Sequence, residues 1–413
     1  MQSLLLAKNK KEWLYIVSFF VVIFFINISF EYYKYKNLTQ EEIYTNTSKI
    51  INIYDKPNYK VLKLSNNDFT FFTSTKNNFN KNNNIFISII TTNIDFISYL
   101  KGFYAKSFNI YENPINNQNS LFDKAKSYID SEHKNKNISS LFNALFLAIP
   151  LDKDLQNIIS SYGISHLIAI SGFHLSVLSL IVYFIFNILY KPIHQRYLPY
   201  RNKQYDLLLV SSIVLFLYLI FLSSQAPLLR AFVMYIFAIF ALRSNIKLLS
   251  FTTLLLCILI IISLFPKLLF SLSFWFSICG VFYIFLFLQY FKSLNKIVLF
   301  IFLNIWLYLA INPISHMFFA NTSLYQLFSP FLTMLFSIFY PLELLLHLVN
   351  MGNILDKYIE IFLNHTIEVK NSFTNIYFFI FYLIVSFASI KSKKAFILLN
   401  ILIILFNIYL YNH

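Results

Sequence analysis

From Ser161 onward, apolar runs follow one another at residues 161–190, 205–222, 226–242, 246–265, 268–290, 297–311, 317–349, 374–390 and 395–412. About 20 apolar residues cross a bilayer as a helix. Backbone at that depth must satisfy its own hydrogen bonds, so such runs form helices rather than open strands. Composition agrees: 58% of the residues are apolar, 20% aromatic and only 12% charged, against about 25% charged in an ordinary soluble domain. The chain reads as a polytopic membrane protein. Disorder and nucleic-acid-binding tails are excluded.

The net charge of +15 is read first as AT-rich codon bias plus topology, because Lys and Arg collect in cytoplasmic loops. Cys257 and Cys279 lie in apolar runs and indicate neither a disulfide framework nor a metal knuckle.

Residues 1–30 form an anchor: three lysines, then an apolar run without a small-residue cleavage site. Residues 31–118 differ in character from the remainder of the chain. Short alternating segments at 49–54, 59–64, 68–74, 84–91 and 105–111, with Asn-rich turns near Asn77 and Asn82, predict a small all-β barrel outside the cytoplasm. Residues 119–150 predict an amphipathic interfacial helix. Residues 151–350 form a membrane core. Residues 351–413 predict an outer-surface amphipathic helix over 353–369, then the last spans.

The basic loops at 191–203, 243–247 and 292–296, and Lys391, Lys393 and Lys394, all belong in the cytoplasm. Parity then requires 317–349 to return to the side on which it began. With Pro330 and Pro341 inside that run, a re-entrant or broken hairpin is expected. The fold class is therefore an α-helical polytopic membrane protein of about nine spans or more, with one such hairpin and a small all-β extracytoplasmic domain.

Three polar interruptions carry candidate chemistry. The first is His166-Leu-Ile-Ala-Ile-Ser171-Gly172-Phe-His174, read as one helical ridge carrying two histidines, with Ser171-Gly172 offering close approach. Satisfied core histidines are the plain alternative. A metal site is disfavoured by the lack of a third ligand nearby, and a serine hydrolase by the absence of Gly-x-Ser-x-Gly.

The second interruption is Ser223-Ser-Gln-Ala226-Pro227-Leu-Leu-Arg230-Ala231. Pro227 suits a first helical turn. Arg230 one turn inside either snorkels to headgroups or holds a phosphate bidentately. The third, Phe270-Ser271-Leu-Ser273-Phe274, is weak alone, since small residues are ordinary helix-packing positions in membranes. Alternation places all three at helix N-terminal parts entering from outside, where dipoles favour anions. His166, His174, Arg230, Ser271 and Ser273 are thus expected to line one outer funnel suited to a polyanion.

At these residues the sequence resembles the ComEC competence-protein family. The first stretch is similar to its H-L-L-A-I-S-G-L-H signature. Ala226-Pro-Leu-Leu-Arg-Ala231 is similar to P-S-x-x-R-A, and Phe270-Ser-Leu-Ser-Phe274 to F-Q-L-S-F. Ser271 stands where the family has Gln, and Ala226 where Ser is common. Phe328-Ser-Pro-Phe-Leu-Thr333 occupies the place of N-L-L-A-I-P without matching it. Tyr99-Leu-Lys-Gly-Phe-Tyr104 resembles part of the family's N-terminal OB-fold region. The eight histidines form no H-x-H-x-D-H cluster, so the resemblance is to a short form without the metallo-β-lactamase-like domain.

The resemblance implies transport of single-stranded DNA across the cytoplasmic membrane during natural transformation, by a channel rather than an enzyme. It implies a DNA path at His166, Ser171, Gly172, His174, Pro227, Arg230, Phe270 and Ser273, with no cofactor and no metal. The implied partners are single-stranded DNA, the lipid bilayer, a periplasmic DNA receptor with its uptake pilus, and cytosolic DNA-processing proteins; a homo-oligomer is compatible with it. Two other classes stay open on the residues alone. An envelope glycan polymerase or flippase would need a large loop between late spans. A scaffold at an uptake pilus would need only the β-domain.

Overall fold

The structure is a computed structural model that describes residues 9–66, 68–79, 83–112, 121–222, 226–243, 250–365 and 368–412, without the side chains of residues 226, 227, 230, 241 and 243. Residues 223–225, the loop at 244–249 and the turn at 80–82 lie outside the described residues. The chain divides into two units, residues 5–123 with 255–274, and residues 124–254 with 275–413; each is taken by itself.

In the first unit, α1 (Lys10–Leu38) is apolar over most of its 29 residues. At 1.5 Å per residue it exceeds the roughly 30 Å of a bilayer core. It outruns the predicted anchor and delivers Leu38 into the barrel core.

Six strands come after it: β1 (Ile43–Asp55), β2 (Lys60–Ser65), β3 (Thr70–Thr75), β4 (Asn84–Ile90), β5 (Phe103–Tyr104) and β6 (Ser107–Glu112), with α2 (Phe96–Lys101) ahead of β5. The expected strands thus form close to their sequence positions. β1 is long enough to pair antiparallel with both β2 and β4, and a register shift between Ile50 and Asn52 bends it. β5 pairs parallel with β3, and β6 antiparallel with β4. Only residues 105 and 106 separate β5 from β6, so this segment joins the two edges and closes the barrel.

Alternation puts Ile50, Leu62, Leu64, Phe71, Ile85, Ile87 and Phe103 inside, each at most 3% exposed. Each such side chain contributes about 1.5–3 kcal/mol. Gly102, at φ +89°, makes the corner between α2 and β5 in a conformation that L side chains rarely adopt.

The second unit is helical. It opens with α3 (Leu121–Glu132), of which residues from 124 belong here, α4 (Lys136–Leu147), α5 (Lys153–Ser161) and α6 (Ser165–Ile168). The single amphipathic helix expected at 119–150 is thus two helices. Asn135 starts the second by accepting the Asn137 N–H.

Next come α7 (Gly172–Tyr197), α8 (Lys203–Phe221), α9 (Ala226–Arg243), α10 (Phe251–Leu264), whose residues from 255 belong to the first unit, α11 (Leu272–Phe291), which belongs here from 275, α12 (Lys296–Phe318), α13 (Ser329–Leu348), α14 (Asp356–Leu363), α15 (Ile376–Ala388) and α16 (Lys393–Asn412). The short strands β7 (Asn321–Thr322) and β8 (Lys370–Asn371) pair antiparallel.

Helices α11, α12, α15 and α16 share a core of Tyr283, Phe287, Trp306, Ala310, Tyr382 and Leu399. Polar rungs cross it: Tyr382 Oη donates to the Ala310 carbonyl at 2.7 Å, and Asn312 Nδ2 to Asn407 Oδ1 at 2.6 Å. Among the described residues, seven helices are long and apolar enough to cross a membrane, and three shorter apolar helices accompany them. The protein is a multi-pass membrane protein with a small β domain.

The expected broken hairpin does not form. The chain leaves α12 at Phe318, passes β7 and a 3-10 turn at Leu324–Phe328, and then runs as one helix through Pro341. Pro330 sits in the first turn, where its missing N–H is harmless. Pro341 removes one interior hydrogen bond, a loss that packed apolar helices tolerate.

Candidate functional site

The histidine stretch is not one ridge. His166 lies on α6, and the backbone leaves the helix at Ala169 (φ −64°, ψ 124°) before α7 restarts at Gly172. Ser171 is extended (φ −130°, ψ 177°) and caps α7. Its N–H and its hydroxyl stand 3.1 and 3.2 Å from His174 Nδ1. The backbone N–H can only donate, so Nδ1 is the acceptor and the ring proton sits on Nε2. His174 is 2% exposed, and its Nε2 meets no partner of full hydrogen-bond geometry among the described residues. Tyr340 packs on the ring edge-to-face at 4.5 Å, and Phe336 at 5.7 Å.

His166 reaches solvent along α6. The protein crowded around it still holds its imidazole below the ordinary histidine value, against a smaller opposing effect of the Gly163 carbonyl. The two histidines therefore differ in kind: one is exposed, and the other is locked into a helix cap.

Helices α7 and α9 run parallel. A Cβ added to Gly172 would stand 3.9 Å from the Ala231 Cβ, and Ser179 Oγ lies 2.8 Å from Tyr235 Oη. Both N-terminal turns thus occupy the same end of the bundle. Arg230 directly precedes Ala231, and Pro227 is the second residue of α9; their side chains lie outside the described residues.

α4 and α13 also gather at this end. Phe173, in the first turn of α7, packs on Phe336 and Tyr340. Tyr218, in the last turn of α8, donates to the Phe146 carbonyl at 2.7 Å. Ser329 Oγ donates to the Gly163 carbonyl at 3.0 Å, which ties the start of α13 to the α5–α6 turn.

Phe270, Ser271 and Ser273 belong to the first unit. The Ser271 and Ser273 hydroxyls lie 2.9 Å apart where a 3-10 turn (Pro266–Phe270) gives way to α11. Lys101 Nζ lies 5.5 Å from the centre of the Phe270 ring.

Sequence reasoning did not single out Lys267, yet it is a hub of that unit. Its Nζ pairs with Glu31 at 2.7 Å, donates to the Asp68 carbonyl at 2.7 Å and lies 4.8 Å above the Tyr99 ring. Tyr99 Oη donates to the same Glu31 carboxylate at 3.1 Å. Burial, with the Glu31 carboxylate second, pushes the Tyr99 phenol far above its usual range.

The barrel exterior carries one cross-strand row. Pairing aligns Asn52 with Lys63, Lys63 with Phe72 and Phe72 with Tyr104. Lys63 Nζ lies 5.8 Å from the Phe72 ring centre, and Tyr54 packs 6.5 Å from the same ring. These positions alternate with the buried Leu62, Leu64 and Phe71, so the row points outward. Among the described residues, no group of three or more His, Cys, Asp or Glu side chains is placed to hold a metal ion.

A family model described as Competence protein matches residues 150–412. Neither the curated proteins nor the solved structures contain a match to this chain.

Proposed function

Because the chain belongs to the competence-protein family, we propose that it carries single-stranded DNA across the cytoplasmic membrane during natural transformation. Membership links it to DNA uptake; the transported strand, the inner-membrane location and the path are our reading. One observation carries it: α7 and α9 run parallel, with Gly172 against Ala231. That pairing gives one end of the bundle two helix N-termini, the buried His174 donor and the turn bearing Arg230. Positive dipole ends, and an arginine in that turn, suit a passing phosphate backbone. His166, Ser171 and Pro227 belong to the same proposed entrance. Phe270 and Ser273, in the other unit, are proposed as DNA contacts on the motif they share with the family, with no placement relative to that entrance. No covalent chemistry, cofactor or metal is assigned to the chain.

The barrel supports this reading as the receiving surface. Its strands close in the order β1-β2-β3, then the β5–β6 segment, then β4, a Greek-key closure that we take as OB type. An outward row of Lys63, Phe72 and Tyr104 with Tyr54 suits single strands, whose bases stack on aromatics without regard to sequence. Parity can hold without a hairpin if α13 lies across the outer face, since it packs on the first turn of α7.

Deleting the gene and scoring DNA entry separately for periplasm and cytoplasm tests the reading. A defect confined to cytoplasmic entry is expected. Normal cytoplasmic entry would refute it. A partner periplasmic receptor, an uptake pilus and cytosolic DNA-processing proteins are proposed on either side of that step.

A further inference from the structure

Away from the proposed DNA entrance, a buried chain of titratable groups joins α13 to the α3–α4 turn and α14. His133 Nδ1 lies 2.8 Å from Asp356 Oδ1. His133 Nε2 lies 3.0 Å from His347 Nε2. His347 Nδ1 lies 2.8 Å from the Glu343 carbonyl oxygen. The His133 side chain is fully buried, and that of His347 is 6% exposed. Phe142 stacks on His133 at 4.6 Å and packs on His347 at 4.7 Å, so water has little access.

The proton count is decisive. Three hydrogen bonds in series need three protons, one in each gap. The Glu343 carbonyl can only accept, so His347 Nδ1 carries one. The Nε2···Nε2 gap needs a second, because two lone pairs do not face each other at 3.0 Å. The His133–Asp356 gap needs a third, whichever of the two groups holds it. Two neutral imidazoles and an ionised carboxylate bring only two.

We propose that Asp356, His133 and His347 form a proton-binding site that holds one proton beyond their ordinary neutral-pH complement. With it the array is electrically neutral. Without it one hydrogen bond is lost and a net negative charge is left beside the buried His133 ring, on a carboxylate only 21% exposed, which is costly.

The surroundings act on that proton from two sides. From α13, the Glu343 carboxylate is fully buried with neither oxygen hydrogen-bonded, and one of them is 3.5 Å from His347 Nδ1. From α3, Glu132 accepts the Gly352 N–H at 2.7 Å, and the Tyr128 hydroxyl donates to the His347 carbonyl. The charged side chains set against the two rings are thus the carboxylates of Glu132 and Asp356, which stabilise an added proton, whereas burial opposes it; Lys134, Lys136 and Lys357 stand on the same elements. Gly352 makes the closure possible: a Cβ there would stand 2.8 Å from the His347 ring and 2.9 Å from the Glu132 carboxylate.

The proton therefore fastens the C-terminal end of α13. Two turns earlier the same helix carries Tyr340, which packs on His174. The proton site does not depend on DNA transport, because its readout is stability.

The test is thermal unfolding of the full chain in nanodiscs from about pH 6 to about pH 9. The wild-type midpoint is expected to fall by roughly 2–4 °C as the extra proton leaves. Asp356→Asn supplies an N–H to His133 Nδ1 and completes the three bonds without that proton; with Glu343→Gln introduced in both proteins, so that the other buried carboxyl does not titrate, its midpoint is expected to stay flat. A flat wild-type profile, or equal slopes in the two proteins, overturns the proposal. A midpoint that moves with EDTA or Zn2+ assigns the site to a metal and overturns it too. Should Asp356→Asn fail to fold, 15N-histidine spectra of the wild type decide. Both rings' signals moving together at one midpoint, whichever group releases the proton, supports the site, and rings that titrate separately or not at all overturn it.

Discussion

Ser171 closes α7 onto His174: the serine's backbone N–H and hydroxyl both meet Nδ1, at 3.1 and 3.2 Å. The signature histidine is therefore fixed as the Nε2–H tautomer, with that donor buried and, among the described residues, without a partner of full hydrogen-bond geometry. The proposed entrance asks this one side chain to be both cap and donor, and substitution can separate the two. His174→Asn keeps an acceptor for the Ser171 N–H but removes the ring donor. It is expected to retain more of the wild-type stability than His174→Leu, which loses the cap as well, worth about 1 kcal/mol. Transformation is expected to fall in both. Normal transformation by His174→Asn would limit the residue to capping.

Arg230 sits in the turn of α9 that meets Gly172. Arg230→Ala is expected to abolish DNA entry into the cytoplasm while membrane insertion and periplasmic DNA capture persist. Arg230→Lys keeps the charge without the planar fork and should recover only part of the activity. Transformation frequency, scored beside periplasmic DNA, checks both.

On the barrel, Phe72→Ala with Tyr104→Ala should weaken binding of a single-stranded oligonucleotide by about 1–3 kcal/mol for each base that loses its stacking partner. Both side chains point outward, so the barrel core should be unaffected. Lys63→Gln should lower the salt dependence of binding by roughly 0.7 in slope. Fluorescence anisotropy across salt concentrations measures both effects.

Lys267 holds Glu31, Tyr99 and the Asp68 carbonyl together. Lys267→Met is expected to cost about 1–3 kcal/mol, because Glu31 loses its charged partner. Glu31→Gln combined with Lys267→Met should recover part of that loss, since no unpaired charge remains. Thermal unfolding of the two variants checks the coupling.

His166 gives a pH dependence of opposite sense to the buried array. Its surroundings hold the folded imidazole below the ordinary value. Its contribution is complete above about pH 6.5, the unfolded value, and is lost as pH falls below it. His166→Gln should reduce the fall of the unfolding midpoint between about pH 7 and about pH 5.

How much of this was legible depends on how local each signal is. The barrel strands were readable because Leu62, Leu64 and Phe71 alternate with outward residues over a few positions. The helical runs were readable from apolar length. The break between His166 and His174 was not, although Ser171-x-x-His174 has the spacing of a capping box with His in the place of Glu. That pattern could have found it. The prolines misled in the other direction: Pro341 marked a break that packing heals, while the real interruption falls at 319–328, where Asn321 and Thr322 pair with β8. The His133–His347 contact joins residues 214 apart, and Lys267 meets partners 168 and 199 residues away. No local pattern encodes such pairs.

The central claim is passage of single-stranded DNA through this chain. The most direct measurement places the purified full-length protein in lipid vesicles, adds a labelled single strand outside, and tracks the label that becomes protected from added nuclease. Protected strand that accumulates with wild-type protein, and not with Arg230→Ala, is the expected result. Strand that binds the vesicles but stays fully digestible would contradict a conduit and leave a DNA-binding scaffold.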